Sequence, residues 1–98
     1  MREYENIDEL REVDNDFAEN VDYELSPTDG ILVFDSPEEF AEYELYDGWF
    51  EEVANEMMNF GPINPLDFID LSEFANALML NWDESVHAVI DGKIVEVY

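Results

Sequence analysis

Carboxylates are almost the only side chains in this chain whose number and spacing could do chemistry. Its 98 residues include 27 Asp and Glu, three Lys and Arg, one His and no Cys, which gives a net charge of −24. The lack of Cys excludes disulfides and thiolate metal sites. Paired carboxylates such as Glu51 and Glu52 suit glycoside hydrolysis only inside a cleft, and so short a chain offers little cleft.

The single histidine, His87, has a structural and a catalytic interpretation. Asp91-Gly92 predicts a type I′ hairpin turn, which pairs His87 with Glu96 across two strands and favours an ion pair over catalysis. The four glycines form no phosphate-binding loop, and the calcium-loop pairing of Gly with a later Glu is missing. We therefore expect no enzyme activity, no cofactor and no metal site beyond diffuse cation binding.

Composition excludes several classes of protein. A hydrophobic content of 47% with 14% aromatic residues is too high for a disordered acidic tail. Direct binding to nucleic acid is excluded because like charges repel. The chain has no apolar run of about 18 residues and no signal peptide, so we expect no membrane association and a cytoplasmic location. Its length suits one domain.

The hydrophobic pattern predicts one α+β domain over residues 1–98. Residues 1–30 comprise an acidic helix over residues 6–21, capped by Asn6, and a turn. A buried strand, Ile31–Phe34, follows. Ser36 and Pro37 then begin a second helix, for which Gly48 suits the C-terminal end.

The rest of the chain predicts two more helices and a hairpin. An amphipathic stripe marks a helix over residues 49–59, and Asn64 with Pro65 begins the next. Residues 86–97 form the hairpin, which the strand at residues 31–34 joins in a three-stranded sheet packed with three to four short helices. The hairpin face expected beneath helices comprises Val86, Ala88, Ile90, Val95 and Val97.

The acidity has three candidate explanations: adaptation to high salt, cation binding, or presentation of charge to a basic partner. Duplex DNA carries one charge per ~1.7 Å of axis, so 24 charges match roughly 40 Å of duplex. A compact domain of this length measures roughly 30–35 Å across. Its charge density is therefore comparable to that of DNA, and an ordinary surface would include more Lys and Arg.

The charge is concentrated in residues 1–56, which carry a net −18, against −6 for residues 57–98. We therefore expect helix carboxylates to stand where a partner would otherwise bind phosphates. The residues expected to carry this contact are Glu38, Glu39, Glu42, Asp47, Glu51, Glu52 and Glu56, supported by Asp8, Glu9, Glu12, Asp67, Asp70 and Glu73.

Several segments resemble the ArdA antirestriction proteins. Residues 33–41 (VFDSPEEFA) and 47–50 (DGWF) are similar to a strand–cap–helix segment of that family. Residues 68–71 (FIDL) are similar to its aromatic-Ile-Asp stretch, and residues 91–98 (DGKIVEVY) resemble its C-terminal hairpin. The order and rough spacing agree over residues 31–98, which correspond to the family's C-terminal domain.

The resemblance implies a dimeric DNA mimic from a phage or mobile element. Such a protein occupies the DNA-binding groove of a type I restriction–modification enzyme in the host cytoplasm. Two alternatives remain: an inhibitor of another DNA-binding complex, such as a CRISPR effector, and an acidic partner or chaperone of a basic protein that does not compete with DNA. A homodimer would form through the hairpin or the segment near Trp49, doubling the net charge of −24.

Overall fold

The computed structural model describes residues 1–27, 29–58, 62–63 and 65–98. These residues form four short strands and five α-helices. In chain order the elements are β1 (Arg2–Tyr4), α1 (Ile7–Val13), α2 (Asn15–Glu24), β2 (Ile31–Phe34), α3 (Pro37–Tyr46), α4 (Glu51–Met58), a 3₁₀ turn (Pro65–Phe68), α5 (Leu71–Asn81), β3 (His87–Ile90) and β4 (Lys93–Val97).

The strands form one antiparallel sheet in the order β1-β2-β4-β3. The expected pairing of β2 with the C-terminal hairpin is confirmed, and so is the α+β class. The sheet has a fourth strand, β1, that the sequence did not predict. Its three residues show no apolar alternation, and only Tyr4 is buried, so pairing with β2 rather than local pattern makes this segment a strand.

The hairpin has the predicted turn and register. Asp91 and Gly92 both have positive φ, at 52° and 78°, as a type I′ turn requires. Ile90 pairs with Lys93, and His87 pairs with Glu96. The apolar face of the hairpin packs against α1 and α2, as expected.

Both faces of the sheet are covered by helices, which explains why β2 is a continuous apolar run. Ile31 and Val33 point towards α1 and α2, where they pack with Leu10, Phe17 and Val21. On the opposite face, residues of β2 and β4 pack beneath α3 and α5. This second core comprises Leu32, Phe34, Phe40, Ala41, Ala75, Leu78 and Ile94.

The prediction of one helix over residues 6–21 is wrong, because two helices form. Asp14 lies between them in an extended conformation (φ −153°, ψ 98°), and its side chain accepts a hydrogen bond from the Phe17 N–H. It therefore caps α2 instead of continuing α1. The break leaves Val13, at the end of α1, 64% exposed. The predicted cap at Asn6 is confirmed by its bond to the Glu9 N–H.

The other helix starts agree with the sequence in part. Ser36 is the N-cap of α3, and its hydroxyl accepts a hydrogen bond from the Glu39 N–H. Pro37 is the first residue of the helix, and the Glu39 carboxylate accepts in turn from the Asp35 N–H. Helix α4 begins two residues later than expected, at Glu51, and the expected end at Asn59 lies outside the described residues.

The prediction that an α-helix starts at Pro65 is wrong. Pro65 opens a short 3₁₀ turn, and α5 begins only at Leu71. The cap of α5 is Asp70, whose carboxylate accepts from the N–H groups of Ser72 and Glu73. The expected cap, Asn64, lies outside the described residues.

The molecule is longer than the expected 30–35 Å. It measures 47 × 22 × 20 Å, with a radius of gyration of 14.9 Å. Helices lie on both faces of the sheet, and α4 packs against α3 and the 3₁₀ turn around Leu45, Ala54 and Leu66. Within the described residues no helix has the length and apolar character needed to cross a bilayer.

Candidate functional site

The main candidate site is the carboxylate surface. All but three of the 27 acidic residues are exposed, the exceptions being Glu39, Glu44 and Glu96. Twelve of the thirteen residues expected to bind a partner are among the exposed ones, and Glu39 is half-buried. Fifteen of the 27 acidic residues lie on the five α-helices, whose buried faces pack into the cores of the fold.

The structure divides the expected binding residues between the two faces of the sheet. Those of α3 and α4, together with those of the 3₁₀ turn and α5, belong to one side, because α3, α4 and α5 pack together. Those of α1 (Asp8, Glu9 and Glu12) belong to the other side, since α1 and α2 cover the opposite face. The thirteen residues therefore do not form one continuous patch.

Few of the carboxylates are neutralised by cations. Arg11 bridges Asp8 at 3.4 Å and Asp22 at 3.5 Å, which ties α1 to α2. Lys93 lies 4.0 Å from Asp35. The terminal ammonium of Met1 donates to Glu39, and this hydrogen bond holds the pKa of Glu39 below its usual range.

Three of the expected binding residues also have structural roles. Glu39 accepts from the Asp35 N–H and Glu9 from the Glu5 N–H, which completes the helix starts of α3 and α1. Asp70 caps α5. Each of these residues keeps an exposed or half-exposed carboxylate, so capping does not remove it from the acidic surface.

A second candidate site is a cavity of about 540 Å³ over one end of the sheet. The strand pairing places Glu3, Leu32, Glu96 and His87 side by side in a row across all four strands. These residues line the cavity, together with Trp49 and the two tyrosines Tyr43 and Tyr98. The row alternates carboxylate, leucine, carboxylate and imidazole.

His87 is held at the buried end of this row and is only 4% exposed. Its Nε2 lies 2.7 Å from Glu96 Oε1, which confirms the predicted cross-strand pair, and its Nδ1 lies 2.9 Å from the Asp83 carbonyl oxygen. The ring stacks on Trp82, with centroids 5.1 Å apart and an interplanar angle of 11°.

Two hydrogen-bond acceptors face the two ring nitrogens of His87, an arrangement that only the imidazolium satisfies with two donors. Burial lowers the pKa of His87, but the hydrogen bonds to Glu96 and the Asp83 carbonyl and the negative charge of Glu44 outweigh it. The net effect raises the pKa. The histidine therefore serves as a partner for carboxylates.

Glu44 is the one acidic residue that the fold buries, with 1% exposure. Its carboxylate accepts from the Trp49 N–H at 3.2 Å, and burial raises its pKa. A Cβ on Gly48 would lie 2.5 Å from Glu44 Oε2, so only glycine permits this close approach. Gly48 also directly follows Asp47, the C-cap of α3, so the helix ends where the sequence predicted.

Sequence reasoning missed the cavity and Glu44. The position of Glu3 beside Leu32 could not be predicted, because β1 was not predicted. Glu44 carries a usable signal, since it lies four residues after Phe40 and three after Ala41, on the buried face of α3. An acidic residue at that spacing lies on the same face of the helix as Phe40 and Ala41, which is the buried face.

Both candidate sites are suited to binding cations. No group of three or more His, Asp or Glu residues within the described ranges is arranged to hold a metal ion.

Comparison of the chain with protein-family models, with curated proteins and with solved structures gives no match.

Proposed function

We propose that this protein is a DNA-mimic inhibitor that occupies the DNA-binding groove of a host defence enzyme. The observation that carries the proposal is charge per length: 24 net negative charges lie along a rod of 47 Å, about one per 2 Å. Duplex DNA carries one per ~1.7 Å. The rod is also narrow, at 22 × 20 Å, so a groove shaped for a duplex has room for it.

The distribution of the carboxylates supports the same proposal. They are exposed on both sides of the sheet, as phosphates are on both sides of a duplex. The chain has three Lys and Arg residues. Two of them, Arg11 and Lys93, form ion pairs within the fold. Association with a basic groove would therefore be fast and would weaken steeply with salt.

The proposed target is a type I restriction–modification enzyme, as the resemblance to ArdA proteins implies. A CRISPR effector is the alternative target of the same mechanism. The second candidate function, an acidic partner or chaperone of a basic protein, shares the charge but requires no duplex-like shape. The rod dimensions favour mimicry over this candidate.

A homodimer remains part of the proposal. Strand β3 is an edge of the sheet, and its Val89 is 52% exposed. Trp49, the other expected contact, is 55% exposed. Either surface offers an exposed apolar side chain for such a contact.

The test is displacement of a labelled DNA duplex from a purified type I methyltransferase, at low and at physiological salt. We expect displacement at near-stoichiometric protein. The same titration on a CRISPR effector separates the two targets. Binding to the enzyme without loss of DNA would favour the acidic-partner candidate and contradict mimicry.

Two matched variants test which side of the sheet binds. Each replaces four exposed acids by Lys, which changes the net charge from −24 to −16. The first variant carries Glu38→Lys, Glu42→Lys, Glu51→Lys and Glu52→Lys, and the second carries Glu12→Lys, Asp16→Lys, Glu19→Lys and Glu24→Lys. We expect the α3–α4 variant to lose displacement and the α1–α2 variant to keep most of it. Equal losses would show that total charge, and not the α3–α4 side, decides binding.

A further inference from the structure

The cavity over Leu32 has two carboxylates at opposite sides. Glu3 on β1 and Glu96 on β4 both flank Leu32 on β2. Neighbouring strands lie about 4.8 Å apart, so the two Glu backbones are separated by about 10 Å. A cationic group placed over Leu32 would therefore lie between two negative charges, on an apolar floor.

Each of these carboxylates has one oxygen in use and one available. Glu3 Oε1 accepts from the Tyr98 hydroxyl at 2.7 Å, and Glu96 Oε1 pairs with His87 at 2.7 Å. Within the described residues neither Oε2 makes a hydrogen bond. Both residues line the cavity, and their partners hold both side chains in place.

The electrostatic potential of the cavity is negative. Burial and the nearby carboxylates Glu96, Glu44, Asp47 and Glu3 all raise the pKa of the Tyr43 phenol. Two cationic groups line the cavity and both already have carboxylate partners: the imidazole of His87 pairs with Glu96, and the ammonium of Met1 donates to Glu39. Charge complementarity thus favours a cation as the occupant.

The walls favour a planar cation with an apolar stem. Trp49 is 55% exposed and meets His87 edge-on, with ring centroids 5.7 Å apart. Tyr43 and Leu32 add further apolar surface. A guanidinium group stacks on aromatic rings and donates to two carboxylates at once, whereas an ammonium is a compact, strongly hydrated point charge.

From this geometry we infer that the cavity receives an arginine side chain of the partner protein, held between Glu3 and Glu96 and against Trp49. The assignment of the arginine to a partner rests on the proposed function, because the basic groove of a DNA-binding enzyme supplies exposed arginines. The arginine would fix the position of one end of the acidic rod in the groove. Long-range electrostatic attraction alone does not fix that position.

The first arm of the test measures the cavity by itself. N-acetylargininamide is titrated into the full chain while amide and indole resonances are followed by NMR. We expect saturable shifts confined to Glu3, Leu32, Trp49 and Glu96, and binding several-fold weaker for N-acetyllysinamide. Shifts spread evenly over the acidic surface would overturn the inference. So would tighter binding of free arginine, because that would indicate a metabolite site.

Matched variants separate the cavity from general charge. Glu3→Gln keeps an acceptor for Tyr98 but removes the negative charge, and we expect it to weaken binding of the probe about tenfold. Glu5→Gln removes the same charge two residues away, at an exposed residue that does not line the cavity. It should leave binding unchanged. Equal effects of the two variants would overturn the inference.

The second arm repeats the DNA displacement with Trp49→Ala, Glu3→Gln and Glu5→Gln. We expect the first two variants, and not the third, to require several-fold more protein. If the wild-type chain displaces DNA but does not bind the probe, the inference fails and the proposed function stands. If the chain binds the probe but displaces no DNA, the proposed function fails and the cavity remains a guanidinium site.

Discussion

His87 links the stability of the sheet to pH. It is buried, it faces Glu96 and the Asp83 carbonyl, and its pKa in the folded protein lies above the usual value near 6.5. A raised folded-state pKa means that the folded protein binds the proton more tightly than the unfolded chain. The resulting stabilisation is complete below the unfolded pKa and is lost as pH rises through the folded pKa.

We therefore predict that the melting temperature falls as the pH rises above about 6.5 and through the higher pKa that His87 has in the folded protein. Circular dichroism at constant ionic strength measures it. His87→Gln should flatten the profile in this window, while Glu5→Gln, at an exposed site, should leave it unchanged. A melting temperature that rises towards pH 9 in the wild-type protein would contradict the prediction.

The segment between α1 and α2 shows how one residue defines two elements. Asp14 ends α1 by donating its N–H to the Leu10 carbonyl and begins α2 by accepting from the Phe17 N–H. The turn lets the two helices fold back on each other, where Arg11 bridges Asp8 and Asp22. Leu10 and Phe17 reach the same core as a result.

Asp14→Ala should destabilise the protein by about 1 kcal/mol, because it removes this cap. Asp16→Ala is the control, since Asp16 is also exposed in the first turn of α2 but caps nothing. Urea unfolding of both variants measures the difference. Equal midpoints would mean that the cap does not stabilise α2.

The elements that could be predicted are those whose signals are local. The hairpin is determined by Asp91-Gly92, because a two-residue turn with positive φ fixes the register of both strands. The start of α3 is determined by Ser36 and Glu39 within one turn. Strand β1 could not be predicted, since its residues become a strand only by pairing with β2, about thirty residues away.

The same distinction applies to the candidate sites. Exposure of the acidic surface followed from composition, because so many carboxylates cannot all be buried. The cavity needed Glu3 beside Leu32, and Glu44 needed the buried face of α3, so both depended on tertiary structure. In the N-terminal segment, Asp14 divides into two helices the residues that were expected to form one.

At the scale of the whole molecule, repulsion among the carboxylates opposes folding. The Debye length is about 30 Å at 0.01 M salt and about 8 Å at 0.15 M. At the lower salt concentration, repulsion therefore extends over much of the 47 Å rod. The apolar cores on the two faces of the sheet act against it.

We predict that the protein melts at a lower temperature in 10 mM than in 150 mM NaCl, yet remains folded at 25 °C in both. Near-ultraviolet circular dichroism follows the packing of its two Trp residues. The Glu38/Glu42/Glu51/Glu52→Lys variant should show a smaller salt dependence. Unfolding of the wild-type chain at 25 °C in 10 mM salt would instead indicate adaptation to high salt, the explanation of the acidity that competes with mimicry.

The central place of β4 has a consequence for how the chain folds during synthesis. This strand lies between β2 and β3, although it is the last of the four to leave the ribosome. Until residues 93–97 emerge, β2 exposes an unpaired edge with the apolar sequence ILVF, which is the kind of segment that pairs with other chains. The sheet can therefore close only late, and mutual repulsion between highly charged nascent chains keeps those edges apart meanwhile.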